Sequence, residues 1–180
     1  MRKHATEFAG VIDAQGVPPV VVLVGGEEFL VRQSAAAIAG AIFGDDADEG
    51  LSRRNGDDVQ WRDVHDELAT VSMFASQRVV FVERADEFIK KNRPVLENYV
   101  AGPVRNSVLV LQPKSFPGNT RLAKAVAKSG AVVECTELEG AALARWLGAT
   151  AKEQHGIELT RDAAALLIEL VGSRLSQLES

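Results

Sequence analysis

The residues best placed for chemistry are Gly25-Gly26-Glu27-Glu28, which follow the apolar run Val20–Val24 and precede a helix-like pattern. Nucleotide-binding folds hold phosphates where a buried strand passes through glycines into a helix, because backbone N–H groups and the helix dipole meet an anion there. A phosphate-binding loop also requires a second glycine after four intervening residues, followed by lysine and then by serine or threonine.

The sequence after the glycines does not meet this requirement. Counted from Gly25, the three required positions hold Leu30, Val31 and Arg32, and the register from Gly26 also lacks the lysine and the hydroxyl. The two adjacent glutamates place negative charge where phosphates would bind. We therefore predict a degenerate phosphate loop that does not support ATP hydrolysis, since that mechanism needs all of these parts.

Other residues that could form a metal or catalytic site give only weak sequence signals. The apolar run Val79–Val82 leads into the acids of residues 83–87, as at a magnesium-binding strand end, but without a phosphate loop these acids indicate a solvated strand exit. The histidines lie far apart in sequence, at positions 4, 65 and 155, and lack ligand-like neighbours. Cys135 lies in an apolar run and is typical of a small core residue. We predict no catalytic residue, no metal site and no cofactor.

A different kind of site is suggested by Ser72-Met73-Phe74-Ala75, between a helical pattern over residues 61–71 and the strand-like run 79–82. Connecting segments lie at the surface and often carry function, and methionine beside an aromatic residue suits an adaptable recognition surface. Met73 and Phe74 are therefore a candidate hydrophobic plug for a partner. The alternative is that both side chains fold back onto the core, which the residue types alone favour.

Composition excludes several classes. The chain has 180 residues, 46% of them hydrophobic, a net charge of -5 and one cysteine, which fits a globular protein of a reducing, cytoplasmic compartment. No segment approaches membrane-spanning length. The 20 Lys and Arg residues form no run, so we do not expect this chain alone to bind DNA strongly.

The pattern of elements predicts how these residues are positioned. Apolar runs at residues 20–24, 79–82, 107–111 and 131–135 alternate with amphipathic helical patterns, which is typical of a parallel three-layer α/β sheet. A short edge strand is expected near residues 51–54. Strands cease at Gly140, so we place an α/β domain at residues 1–139 and a partial helical domain at 140–180. So few helices cannot bury a core of their own, and we expect the chain to be a fragment.

The order and spacing of several segments resemble the N-terminal part of the delta subunit of bacterial DNA polymerase III. The segments are Gly26–Leu30 after an apolar strand, Ser72–Arg78 before another, Ser107–Leu111, Ala131–Cys135, Leu143–Leu147 and Thr160–Gly172. The resemblance implies a P-loop or AAA+ type of fold with a degenerate phosphate loop, followed by the start of a small helical lid domain. A collar domain would lie beyond Ser180.

The resemblance also implies a function, that of a clamp-loader subunit of the replicative polymerase holoenzyme, a nucleotidyltransferase complex. Such a subunit binds the sliding clamp (the beta subunit) and opens its ring. In the family a Leu-Phe-type pair enters a hydrophobic pocket on the clamp, and the matching positions here hold Met73 and Phe74, flanked by Ser72 and Ala75. With the resemblance, the plug becomes the favoured interpretation of this pair.

The implied partners are the clamp and the other clamp-loader subunits, with DNA reached only through the complex, and no membrane. Two rival functions remain open. An active NTPase would bind nucleotide at residues 25–28, and a generic α/β interaction module would keep the fold without affinity for a clamp.

Overall fold

The computed structural model describes residues 1–44, 51–70 and 77–179. The chain forms two compact units, Met1–Thr136 and Glu137–Ser180. The first unit contains strands and helices, and the described part of the second contains helices alone.

A parallel sheet lies at the centre of the first unit. In the described residues its strands are β1 (Arg2–His4), β2 (Val20–Val24), β3 (Leu51–Asn55), β4 (Arg78–Glu83), β5 (Ser107–Leu111) and β6 (Ala131–Glu134). Their order across the sheet is β1-β6-β2-β5-β4-β3, and every neighbouring pair is parallel. Strands β2 and β5 are buried along their whole length, as expected for strands covered on both faces.

Helices cover both faces of this sheet. They are α1 (Ala5–Gln15), α2 (Glu28–Phe43), α3 (Trp61–Ala69), α4 (Asp86–Ala101) and α5 (Arg121–Ser129). Helix α1 packs against α2, while α3, α4 and α5 share one apolar cluster with β2, β4 and β5. The chain moves across the sheet in one direction through α1 and α2 and in the other through α3 to α5, so right-handed crossovers place the two groups on opposite faces. The predicted three-layer α/β fold is confirmed.

The edge strand β1 was not predicted. It consists of Arg2, Lys3 and His4, which have none of the apolar character that marks a strand in sequence, and it pairs with β6 at the edge of the sheet. The other edge strand, predicted near residues 51–54, is present as β3 and pairs with β4. Edge strands of this kind are short and charged because one side of their backbone faces solvent.

Helix α4 contains a restart at Pro94. Its backbone leaves the helical region at Asn92, with φ of -113° and ψ of 16°, so Pro94 lies in the first turn of the second segment. Proline is tolerated there because its missing N–H would have no helical partner. The Asn92 side-chain amide donates to the Phe88 carbonyl oxygen at 2.9 Å and stabilises the kink.

The second unit contains α6 (Gly140–His155), α7 (Arg161–Val171) and α8 (Leu175–Glu179). Gly156 ends α6 in the left-handed conformation, with φ of 66°, and the Thr160 hydroxyl caps α7 by accepting from the Ala163 N–H. Helix α7 carries apolar side chains that remain exposed, among them Leu166 at 54% and Leu170 at 72%.

Candidate functional site

The degenerate phosphate loop lies between β2 and α2, at the carboxyl edge of the sheet. Gly25 follows β2 with a φ of +136°, a conformation that L side chains rarely adopt. A Cβ atom built at Gly25 would lie 2.1 Å from the carbonyl oxygen of Cys135, the residue after β6, whereas one built at Gly26 would meet nothing within 4 Å. The first glycine therefore serves a close approach between two backbone segments.

Several backbone N–H groups of this loop already have protein acceptors. The Gly25 N–H donates to the Pro113 carbonyl oxygen at 3.3 Å, and the Glu27 N–H donates to the Cys135 carbonyl oxygen at 3.0 Å. The Phe29 N–H donates to the carboxylate of Glu27 at 3.0 Å, which makes Glu27 the N-cap of α2. A helix N-terminus has a few free donors, and here a side-chain carboxylate takes one of them.

This geometry opposes phosphate binding. A nucleotide phosphate would compete with the Cys135 carbonyl for the Glu27 N–H and with the Glu27 carboxylate for the helix N-terminus, and the negative charges would repel each other. The carboxylate that a phosphate would have to displace belongs to the loop itself. The predicted degeneracy of the loop therefore has a structural basis as well as a sequence basis.

Cys135 lies directly beneath the loop and is fully buried. Its N–H donates to the Val24 carbonyl oxygen at 2.7 Å, which holds the strand ends of β2 and β6 together. Burial raises the pKa of the Cys135 thiol to about 12, with a smaller lowering effect of the nearby Ser34 hydroxyl and a small raising effect of the Glu27 charge. The predicted role of this cysteine as a core residue agrees with these surroundings.

We expect Cys135 to resist alkylation by iodoacetamide at pH 8 in the folded chain and to react readily in denaturant, because the thiolate is the reactive form. The raised pKa means that the folded state keeps a proton that the unfolded state loses, so this thiol lowers stability as pH rises from about 9 towards 12. Comparing urea unfolding of wild type and Cys135→Ala across this range isolates the thiol's contribution. If the free energy of unfolding depends on pH equally in both chains, the prediction is contradicted.

The acids after β4 have structural partners, as expected for a strand exit. Glu83 forms an ion pair with Arg53 at 2.7 Å, and Arg84 pairs with Asp57 at 3.2 Å. The Asp86 carboxylate accepts from the backbone N–H groups of residues 114 and 115 at 3.0 to 3.3 Å. No group of three or more metal-ligating side chains occurs among the described residues.

The four residues proposed to bind a clamp, Ser72, Met73, Phe74 and Ala75, lie outside the described residues. The residues on either side are described. Helix α3 ends at Ala69, with the Thr70 hydroxyl donating to the Asp66 carbonyl oxygen at 2.7 Å. Strand β4 begins at Arg78, whose N–H donates to the Asn106 carbonyl oxygen at 3.0 Å.

Helix α3 is firmly anchored, and it leads into the candidate stretch. Val64 and Leu68 are buried in the apolar cluster of α3, α4 and α5. The Trp61 ring lies edge-on to the Tyr99 ring of α4, with centroids 5.3 Å apart, and contacts the His65 ring at 5.7 Å. Because β4 is an inner strand, the described residues on either side of this stretch, Thr70 and Arg78, adjoin well-packed elements at the amino edge of the sheet, opposite the degenerate loop.

Comparison with known families decides the identity of this domain. The sequence model of the family described as "DNA polymerase III, delta subunit" matches residues 22–136. The chain belongs to the DNA polymerase III delta-subunit family. The match ends at the last residue of the first unit and includes both the degenerate loop and the stretch from Ser72 to Ala75. No curated protein sequence matches this delta-family chain.

Solved structures show the same fold. The Bacillus subtilis DNA clamp loader delta protein (YqeN) is similar with a TM-score of 0.83 at 22% identity, over 97% of this chain and 55% of that one. The Thermotoga maritima RuvB Holliday junction branch migration motor is more distant, with a TM-score of 0.54 at 14% identity, over 97% of this chain and 57% of that one. The delta-family chain thus spans little more than half the length of either protein, and the AAA+ type of fold predicted for it is confirmed.

One feature of the delta-family chain escaped the sequence analysis. Residues 88–130 contain eight of the 20 Lys and Arg residues and a single acid, Glu97, although the whole chain has a net charge of -5. A charge count over a sliding window would have found this segment, whereas a search for uninterrupted basic runs does not.

No helix in the described ranges has the length and apolarity needed to cross a bilayer.

Proposed function

We propose that this chain is the clamp-binding part of a clamp-loader subunit, which attaches to the sliding clamp and opens its ring. The observation that carries the proposal is the family match over residues 22–136. The similar fold of a protein described as a clamp loader delta protein supports it.

The proposed attachment point is the pair Met73 and Phe74, flanked by Ser72 and Ala75. Methionine and phenylalanine give a large apolar contact, and methionine adapts its shape to an irregular pocket. The described flanks support this role, because α3 and β4, which border the stretch in sequence, are anchored in the core. Anchors on a rigid base bind more tightly, since less freedom is lost on binding.

Ring opening requires more than attachment. A bound subunit shifts a ring from closed to open only if it interacts more favourably with the open form. In this proposal the pair holds the clamp, and the exposed surface of α3 beside it contacts the clamp better when the clamp interface is distorted. The outward charged residues of α3, such as Arg62 and Asp66, belong to that surface.

The energy for repeated loading would come from nucleotide bound by other clamp-loader subunits. The N–H groups of residues 25, 27 and 29 have protein acceptors in this chain, and the Glu27 carboxylate occupies the helix N-terminus. These features also argue against the rival function of an NTPase. The second unit is proposed as the start of a lid domain, a collar domain would follow it in the longer protein, and the complex would work in the cytoplasm.

We expect the wild-type chain to bind the sliding clamp of the same organism without nucleotide, because the proposed anchor is built from side chains alone. Surface plasmon resonance with immobilised clamp measures the affinity, and ATP with Mg²⁺ should change neither this affinity nor the melting temperature of the chain. Bovine serum albumin on a reference surface controls for non-specific apolar binding.

The clamp-binding and melting-temperature measurements distinguish the proposed function from its two rivals. A rise in melting temperature with ATP and Mg²⁺ would favour the NTPase, since a ligand of the folded state stabilises it in proportion to its concentration over Kd. A folded chain that binds neither clamp nor nucleotide would be a generic α/β interaction module.

A further inference from the structure

The pair Asn55-Gly56 lies at the end of the edge strand β3 and at the start of the turn that follows it. Asparagine followed by glycine is the pair of residues that deamidates most readily, because the glycine nitrogen can approach the asparagine side chain without hindrance from a Cβ atom. Asn55 is the asparagine of this chain that precedes a glycine. The chemistry of this pair therefore depends on what the fold does with it.

Deamidation begins when the backbone nitrogen of Gly56 attacks the side-chain carbonyl carbon of Asn55. The new C–N bond closes a succinimide ring, the bond from that carbon to Nδ2 breaks, and ammonia leaves with the proton of the Gly56 N–H. Water then opens the ring at either of its carbonyl carbons. The products are aspartate and isoaspartate, and in isoaspartate the main chain runs through the former side chain.

The fold keeps the attacking nitrogen from reacting. The Gly56 N–H donates to the Glu83 carbonyl oxygen of β4 at 2.7 Å, which continues the parallel pairing of β3 with β4. Attack requires this nitrogen to lose its proton and to turn towards the Asn55 side chain. Neither step can occur until the hydrogen bond to β4 breaks.

The Asn55 side chain is also held at both of its polar atoms. Its Nδ2 donates to the Asp58 carboxylate at 2.9 Å, and its Oδ1 accepts from the Asp57 N–H at 3.1 Å and from Arg84 Nε at 3.3 Å. Arg84 is held beside the turn by its ion pair with Asp57 at 3.2 Å. The amide that would leave and the carbonyl that would be attacked are therefore both fixed in the closed turn.

The same geometry explains why glycine is needed at position 56. A Cβ atom built there would lie 2.7 Å from the Arg84 carbonyl oxygen and 2.8 Å from the Glu83 carbonyl oxygen. Glycine thus allows a close approach of two backbone segments, while the asparagine side chain bonds to the rest of the turn. The residues that suit the closed turn are also the pair that reacts most readily when the turn opens.

We propose that Asn55-Gly56 is a deamidation site that the closed edge of the sheet protects and that becomes reactive when β3 separates from β4. Strand β3 is an edge strand, so it is paired along one side only. Local separation of such an element needs less free energy than unfolding of the whole domain. Because deamidation is slow, its rate follows the population of the open edge. The proposal is independent of clamp binding.

The modification also hinders the return of β3. In the aspartate product, a carboxylate replaces the amide that donates to Asp58, which adds a third negative charge next to Asp57 and Asp58. Isoaspartate lengthens the main chain at the residue that pairs with Glu83. Strand β4 is then left at the edge, and its apolar run Val79–Val82 favours association between chains. Deamidation therefore marks the chains whose edge has opened.

The test follows Asn55 by peptide mass spectrometry during incubation at mildly alkaline pH, with the chain either folded or unfolded in guanidinium chloride. We expect Asn55 to deamidate at least about tenfold more slowly in the folded chain, because it reacts only from the open edge. Asn119 provides an internal reference, since it precedes the β-branched Thr120 and should react slowly in both states.

The decisive variant is Arg53→Gln, which weakens the edge without changing either reacting residue. It removes the ion pair of Arg53 with Glu83 at 2.7 Å and the contact of the guanidinium with the Phe81 ring at 5.1 Å. These exposed interactions are weak individually, so we expect Asn55 in the folded variant to deamidate about threefold to tenfold faster than in wild type.

The matched control is Arg2→Gln at the opposite edge of the sheet. It makes the same substitution and removes an exposed ion pair to Glu134 at 2.6 Å, but it lies on β1. The deamidation rate of Asn55 should stay within about twofold of wild type, because distant sites act independently.

A second measurement examines the product. Asn55→Asp should lower the midpoint of unfolding in guanidinium chloride, because it repels the neighbouring carboxylates and loses the amide donor. Asn119→Asp makes the same charge change at an exposed loop residue and should not lower the midpoint.

The proposal is overturned if Asn55 deamidates equally fast in the folded and unfolded chains, since the closed edge would then give no protection. It is also overturned if Arg53→Gln has no effect on the rate, or if Arg2→Gln has an equal effect, because opening would then not be local to β3. An Asn55→Asp chain as stable as wild type would show that the modification does not hinder the return of β3.

Discussion

Replacing Met73 and Phe74 together by alanine is expected to weaken binding to the sliding clamp at least about 100-fold, because buried apolar anchors are the residues that dominate interfaces. Each anchor of this type contributes about 2 kcal/mol or more, and 1.4 kcal/mol corresponds to a factor of ten. The free energy of unfolding should change by less than about 0.5 kcal/mol, as for other surface substitutions. Surface plasmon resonance and urea unfolding of the same preparations measure both quantities.

The matched control is Leu166→Ala with Leu170→Ala, a pair of large apolar side chains on α7 that are exposed. This control should leave clamp binding unchanged. It tests whether any loss of exposed apolar surface, at whatever position, reduces binding. Met73→Leu should preserve binding, because it conserves volume and apolarity. If the Met73 and Phe74 variant instead unfolds more easily by several kcal/mol, the pair belongs to the core and the proposed site is wrong.

Gly25→Ala is expected to destabilise the fold by about 3 kcal/mol or more, because it combines backbone strain with a steric clash. The backbone at Gly25 has φ of +136°, and the new Cβ would lie 2.1 Å from the Cys135 carbonyl oxygen. That oxygen cannot move freely, since it accepts the Glu27 N–H at the start of α2. Urea unfolding followed by circular dichroism gives the change in free energy.

Gly26→Ala provides a control at the adjacent residue. Its Cβ would meet nothing within 4 Å, and its φ lies outside the left-handed region. We expect a change within about 0.5 kcal/mol. Equal effects at both positions would show that the close approach of Gly25 to Cys135 is not what makes the first glycine necessary.

The buried elements were predictable because their signals are local. Strands β2, β4, β5 and β6 are short apolar runs, and each packs between two layers of helices, so no alternation was needed to recognise them. The ends of α2, α6 and α7 are likewise set by glycine and by capping residues, whose effect depends on the nearest turn alone. Local signals did not predict strand β1, because its residues are polar and are held in the sheet by pairing with β6.

The candidate site was predictable to different degrees. The missing lysine and hydroxyl of the phosphate loop could be read from residue types at fixed spacing, and so could the acidic residues at its helix start. The stretch Ser72 to Ala75 was singled out by its residue types between a helix and a strand, and the family resemblance made the plug the favoured interpretation. It stays a prediction, because these residues lie outside the described part of the chain. Residue types alone favoured burial of the pair, since methionine and phenylalanine are usually found in cores.

The sequence by itself determined the α/β class, the degenerate loop and the family, since each depends on residue types in order along the chain. Tertiary structure alone decided the contacts between distant residues. It brought Cys135 beneath Gly25, so that the thiol is buried and its pKa rises. It also packed α5 against α4, although strand β5 lies between these two helices in the sequence. The physical reason is that burial and electrostatic fields depend on distance in space, which sequence separation does not determine.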